Sequence, residues 1–274
     1  MVAVRRVGHV QVGPDVIAYD DLAPAAAADD RVVVLLHGSG GNRATWWPVV
    51  PHLVEARWRV VNIDVRGSGR STDTERQLGP RQVALDLEAV RATLGVARWH
   101  VVGHSLGGWH ALRYAAEHPE ATAGVTCVSS IGGVMTPTAI DWFAEFARMA
   151  ATWAASDDPF ASASLDADWT SAHKGETYLY QLLRDLNPPA VRGVPGEDMA
   201  ANALTGEELE VLRQLSSHTA EPTFITGEAD PYAPPAVVRS CADATGWRFV
   251  EVPSAGHTLF WEQPAALVAA ITGG

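Results

Sequence analysis

The run Val101-Val102-Gly103-His104-Ser105-Leu106-Gly107-Gly108 constrains this chain more than any other stretch. An apolar, β-branched segment enters a Gly-x-Ser-x-Gly core, and a helix-like segment from Trp109 to His118 leaves it. A strand that turns directly into a helix at a serine strains that residue's backbone, and glycines two positions to either side remove the Cβ atoms that would collide there. The hydroxyl then projects beyond the sheet at a helix N-terminus, where free N–H groups and the positive end of the helix dipole favour developing negative charge. A glycine-rich β-to-α turn holding an incidental serine fits the five-residue pattern equally well.

The surrounding segments alternate between strand and helix. Arg31-Val32-Val33-Val34-Leu35-Leu36 is a continuous branched run of the kind buried on both faces of a parallel sheet. Trp58 to Ile63, Trp99 to Val102, Ala123 to Val128, Pro222 to Thr226 and Trp247 to Val252 read as further strands. Helical spacing recurs over Gly79 to Leu94, Pro234 to Thr245 and Gln263 to Ile271. It recurs also in Arg43 to Glu55, where Trp46 and Trp47 suit either helix packing or a pocket mouth. Arg5 to Leu22 alternates around Gly13-Pro14-Asp15, as an antiparallel hairpin at a sheet edge does. This order predicts an α/β fold with a mostly parallel central sheet and helices on both faces.

From Ser129 to Ala220 strand-like runs disappear, and helical pieces over Pro137 to Ser156, Thr177 to Leu186 and Gly206 to Ser216 are joined by Asp/Pro/Gly-rich loops. The expected division is a core of residues 1–133 and 217–274 with a helical cap, residues 134–216, inserted before the last strands and above their carboxyl ends. Trp142, Phe143, Trp153 and Trp169 place aromatic mass in that cap, for a ligand or for the cap's own core.

A net charge of −12 argues against nucleic acid or an anionic membrane as partner. No segment approaches the about 20 apolar residues of a membrane span, and Met1 to Val10 lacks the apolar stretch of a signal peptide. Cys127 and Cys241 are too few for a disulfide framework. The expectation is a soluble, cytoplasmic protein with a small-molecule substrate, monomer and homodimer both staying open. His-Glu-x-x-His and close Cys/His clusters are absent, and Gly67-x-Gly69 lacks a third glycine, so neither metal nor nucleotide cofactor is expected.

A serine hydroxyl becomes nucleophilic at neutral pH when a base, oriented by a third group, takes its proton. Asp230, in Gly227-Glu228-Ala229-Asp230-Pro231, and His257, closing Pro253-Ser254-Ala255-Gly256-His257, follow the carboxyl ends of predicted strands on the edge that carries Ser105. Of the ten histidines, His37 and His104 suit buried, hydrogen-bonded roles, and His110 and His118 lie on the helix after Ser105. Glu228 and Asp64 rival Asp230, but Asp64 precedes the serine and is followed by Arg66, which fits an Asp–Arg pair holding a turn. The loop His37-Gly38-Ser39-Gly40-Gly41-Asn42 is either a tight turn or the source of an oxyanion donor, the Ser39 N–H, to accompany that of Leu106. Gly38, Trp142 and Trp153 are the candidate substrate contacts.

Jointly, His37-Gly38-Ser39-Gly40-Gly41, Asp64-x-Arg66-Gly67-x-Gly69-x-Ser71, Gly103-His104-Ser105-Leu106-Gly107-Gly108, Gly227-x-x-Asp230 and Gly256-His257 resemble the successive signatures of the α/β-hydrolase superfamily, over nearly the whole chain. The serine at the turn separates the chain from epoxide hydrolases and haloalkane dehalogenases, which carry aspartate there. The His-Gly-Ser-Gly loop is similar to that of carbon–carbon bond hydrolases, with Gly41-Asn42 in place of their Pro-Gly. The resemblance implies a serine hydrolase, esterase- or lactonase-like, that cleaves a small apolar ester, lactone or other acyl substrate through Ser105, His257 and Asp230 and an acyl-enzyme. A carbon–carbon hydrolase or lyase using the same residues, and a small-molecule receptor retaining the pocket, are the alternatives.

Overall fold

Residues Val32–Leu36 form strand β3, in which every side chain is buried. Val33 and Leu35 point into one apolar cluster and Val32, Val34 and Leu36 into another, as the two-residue period of a strand covered on both faces requires. The computed structural model describes residues 3–24, 31–153, 164–187, 201–215 and 221–273, with the side chains of residues 3 and 147–153 excepted.

Around β3 lies an eight-stranded sheet of order β1-β2-β4-β3-β5-β6-β7-β8. β1 (Ala3–Val12) and β2 (Asp15–Pro24) form the expected hairpin, and β2 pairs antiparallel with β4 (Arg59–Ile63). β5 (Trp99–His104), β6 (Thr122–Val128), β7 (Thr223–Gly227) and β8 (Arg248–Val252) continue the sheet in parallel from β3. Because the chain passes from β4 back across β3 to β5, strand order reverses between β3 and β5. Their carboxyl ends frame the crevice where open α/β sheets bind ligands.

Helices α1 (Val50–Glu55), α9 (Leu259–Glu262) and α10 (Pro264–Thr272) cover the face of Val33 and Leu35. The opposite face takes α2 (Pro80–Thr93), α3 (Leu106–Glu117) and α8 (Pro235–Thr245). The segment expected to be one helix from Arg43 to Glu55 instead comprises a 3-10 turn, Arg43–Trp46, followed by α1. Pro48 lies in the turn between the two, and Pro51 sits in the first turn of α1, where its missing N–H has no helical partner to lose.

Between β6 and β7 the described residues contain helices alone: α4 (Pro137–Trp153), α5 (Ala167–Ala172), α6 (Lys174–Asp185) and α7 (Gly206–Leu215). The side chain of Asp166 accepts from the Trp169 N–H at 2.9 Å and so starts α5, a helix that apolar periodicity did not reveal. α7 packs onto α3 and α8, with Leu212 and Leu215 buried beside Leu112, Val238 and Trp247.

The expected Asp64–Arg66 pair is not formed. Asp64 faces back to the 3-10 turn, accepting from the Arg43 and Arg70 backbone N–H groups at 2.8 and 2.9 Å and pairing with the Arg43 guanidinium. Arg66 is directed to the other side, where it pairs bidentately with Asp86 on α2, at 2.6 and 2.9 Å, and with Asp15 at 2.9 Å. This buried cluster fastens the hairpin to α2 and to the loop after β4. Arg66→Met would leave the Asp15 and Asp86 carboxylates buried without their cation, a loss of about 3–5 kcal/mol that denaturant unfolding should register.

Candidate active site

β5 runs into α3 through Ser105, whose φ of 53° and ψ of −118° lie in a region that side chains disfavour. The strain is held from several directions. Ser105 donates its N–H to the Val128 carbonyl at 2.9 Å, and its own carbonyl accepts from the Gly108 N–H at 2.9 Å and the Ser130 hydroxyl at 2.6 Å. A Cβ on Gly103 would strike the Gly107 carbonyl, and one on Gly107 would strike that of Leu36. The glycines at these two positions therefore let β5, α3 and β3 approach closely enough to form the turn.

Ser39, Ser105, Leu106 and His257 line one cavity of about 80 Å³, together with Trp109, Ser129, Ile131, Trp142, Phe143 and Tyr232. Leu106 is the first residue of α3, so its N–H has no acceptor inside the helix. The loop after β3 brings Ser39 to the same wall. Gly38 serves close packing: a Cβ there would lie 2.9 Å from both the Ser105 Cβ and His104 Nδ1.

His257 Nδ1 donates to Asp230, with the two carboxylate oxygens 3.0 and 3.1 Å away. The same carboxylate accepts the backbone N–H groups of Tyr232 and Ala233 at 2.8 and 2.9 Å. Burial acts to raise the Asp230 pKa, but the neighbouring His257 and these hydrogen bonds together hold it below the usual carboxylate range. The acid is thereby kept charged, and its bond to Nδ1 leaves the other imidazole nitrogen, Nε2, free of it.

Two of the remaining buried histidines act as braces. His37 donates from Nδ1 to the Gly38 carbonyl at 2.8 Å and accepts the Val65 N–H on Nε2 at 3.0 Å, which joins the loops after β3 and β4. His104 Nε2 donates to the His257 carbonyl at 3.0 Å. Burial holds His37 and His104 below the ordinary histidine range and pushes His100 to about 4 and His110 to about 3, so all four are neutral near pH 7.

Of the expected cap aromatics, Trp142 and Phe143 reach the cavity wall, and the Trp142 indole donates to the Tyr232 carbonyl at 3.4 Å. Trp169 stacks on His173, ring centres 4.5 Å apart. The Trp153 side chain lies outside the described residues. Tyr232, with its ring 4.8 Å from that of His257, and Ser129 were not singled out from sequence. Ser129 has a φ of 49°, and its buried hydroxyl has no partner among the described residues, so it can serve a ligand. Its only sequence signal is the serine pair Ser129-Ser130 directly after β6.

Glu262 was also missed. One of its oxygens accepts the Gly256 N–H at 2.6 Å and the other accepts that of Asp166, which ties the His257 loop to the segment before α5. Burial pushes its carboxyl up to about 7, against the opposing effect of those two bonds. A carboxyl that holds its proton more tightly when folded contributes stability below its unfolded pKa, near 4.5, and loses it as pH rises through about 7. The melting temperature of the wild type should therefore fall relative to Glu262→Gln over that interval, as calorimetry at successive pH values would show.

A family model described as the alpha/beta hydrolase fold matches residues 31–264. A protein of Caulobacter vibrioides that carries the provisional name carbamate hydrolase RutD is 42% identical over 106 residues. That match covers 37% of this chain and 38% of the relative, so it spans well under half of the relative's length. Among solved structures, a thermophilic esterase from Thermogutta terrifontis superposes with a TM-score of 0.74 at 20% identity, covering 98% of this chain and 97% of its own. The enol-lactonase from Burkholderia xenovorans LB400 gives 0.73 at 22%, covering 97% and 98%.

Proposed function

Since the chain belongs to the α/β-hydrolase family, we propose that it is a serine hydrolase of a small ester, lactone or related acyl substrate, with Ser105 as nucleophile, His257 as general base and Asp230 as its orienting acid. The observation that carries this reading is the hydrogen bond from His257 Nδ1 to a charged Asp230, with the same histidine and the strained Ser105 facing one cavity.

In the proposed reaction, Ser105 Oγ attacks the substrate carbonyl carbon while its proton passes to His257 Nε2. The carbonyl oxygen gains the negative charge of the broken π bond, and the Ser39 and Leu106 N–H groups hold it, each donor worth about 3–4 kcal/mol in comparable sites. Collapse of that intermediate breaks the bond to the alkoxide leaving group, which takes the proton from His257 and leaves an acyl-Ser105. Water, deprotonated by the same imidazole, then attacks the acyl carbon and releases the acid and free Ser105. Asp230 stays ionised throughout and stabilises the imidazolium. Residues 134–216 would act as the cap, with Trp142 and Phe143 forming an apolar wall against the substrate.

A fluorophosphonate probe should label the wild type and leave Ser105→Ala unlabelled; an unlabelled wild type would refute the assignment of the nucleophile. Asp230→Asn should lower kcat on a good ester by about a thousandfold or more, as loss of the orienting acid does elsewhere. Activity persisting within a few-fold would mean that another acid orients His257.

A further inference from the structure

Arg184, near the end of α6, lies against the glycine loop: a Cβ on Gly40 would come within 2.8 Å of its Nη2. The residues on either side fix this position. The Asn42 amide donates to the Leu183 carbonyl at 2.6 Å, and the Asn187 amide donates to the carbonyls of Gly40 and Gly41 at 2.7 and 2.8 Å. Asn187 Oδ1 also accepts the Gly69 N–H at 2.9 Å. The guanidinium is thus held beside the loop that delivers Ser39 to the cavity.

An arginine carries five N–H donors and keeps its charge at any physiological pH. Among the described residues, one group accepts from Arg184, the Tyr180 hydroxyl at 2.9 Å, and no carboxylate forms an ion pair with it. Tyr180 is itself buried, and its hydroxyl lies 3.2 Å from that of Thr258, next to His257. The Arg184 charge is felt at His37, His104 and Tyr232, which brace or line the cavity. Arg184 is half-buried, and the neighbouring Tyr180, Tyr232 and Asp185 favour its charged form, so the guanidinium is a standing cation with N–H donors to offer an anion. In a chain of net charge −12, general attraction cannot supply an anion, so a fixed cation has to select it.

We infer that Arg184 binds a carboxylate on the substrate, which makes the preferred substrate an ester or lactone whose acyl part bears a negative charge. This rests on the hydrolytic reading of Ser105. The guanidinium presents its unused N–H pair to the carboxylate in a bidentate fork, and Tyr180 holds it in place. The aromatic wall takes the apolar part of the same molecule.

Mono-4-nitrophenyl adipate and 4-nitrophenyl hexanoate differ by one terminal carboxylate. The wild type should prefer the adipate ester in kcat/KM, and Arg184→Gln should reduce that preference by about ten- to a hundredfold, mainly through KM, with partial recovery in Arg184→Lys. A wild type that prefers the hexanoate, or a loss equal for both esters, would overturn the anion site. Adipate itself, added to Ser105→Ala, tests binding without turnover: it should raise the melting temperature, and should not do so once Arg184→Gln is combined with it. Absence of that shift refutes the anion site even if esters are cleaved, whereas the shift in a protein that cleaves no ester leaves the anion site standing and refutes the hydrolytic reading.

Discussion

The contact on which this molecule depends involves no side chains. Gly103, at the end of β5, lies against the carbonyl of Gly107, and Gly107 lies against that of Leu36, so three backbones converge with no Cβ between them. That convergence brings the first turn of α3 beside the end of β3, and with it Leu106 and Ser39 to one cavity. Ser105 is held at a φ of 53° by the bond that it donates to Val128 and those that it accepts from Gly108 and Ser130. The local strain is sustained by the buried sheet beneath it.

Around this point the chain uses imidazole in two opposite ways. His37 and His104 are sealed in, neutral, and bonded at fixed distances to backbone groups of neighbouring loops, which makes them spacers between strand ends. His257 is positioned by one such spacer through its carbonyl and by Asp230 through its ring. The difference lies in what each ring bonds to: backbone groups for the braces, and for His257 a carboxylate that itself takes two amide N–H bonds.

The sheet was legible because its strands are continuous branched runs, long enough to be read without knowing their neighbours. The edge carrying Ser105, Asp230 and His257 was legible for the same reason, since each follows such a run. What the sequence did not reveal depends on partners far apart in the chain. Arg66 turns to Asp86 and Asp15, 20 and 51 positions away, instead of to the nearby Asp64, because the loop after β4 sends these two side chains in opposite directions. Glu262, Asn187 and Ser130 act through single carbonyls or amide N–H groups, which leave no periodicity behind. α5 and α9 are too short to show a repeating face, and the cap aromatics could not be divided between wall and core by composition.

Asn187 accepts from the Gly69 N–H while donating to the carbonyls of Gly40 and Gly41. One amide side chain at the end of α6 thus acts as a three-way clasp between the helical insertion and the loops after β3 and β4. A displacement of α6 away from the sheet would release both loops at once and carry Arg184 from the site in the same movement. The geometry that holds a negative charge is therefore assembled only when the helix is seated.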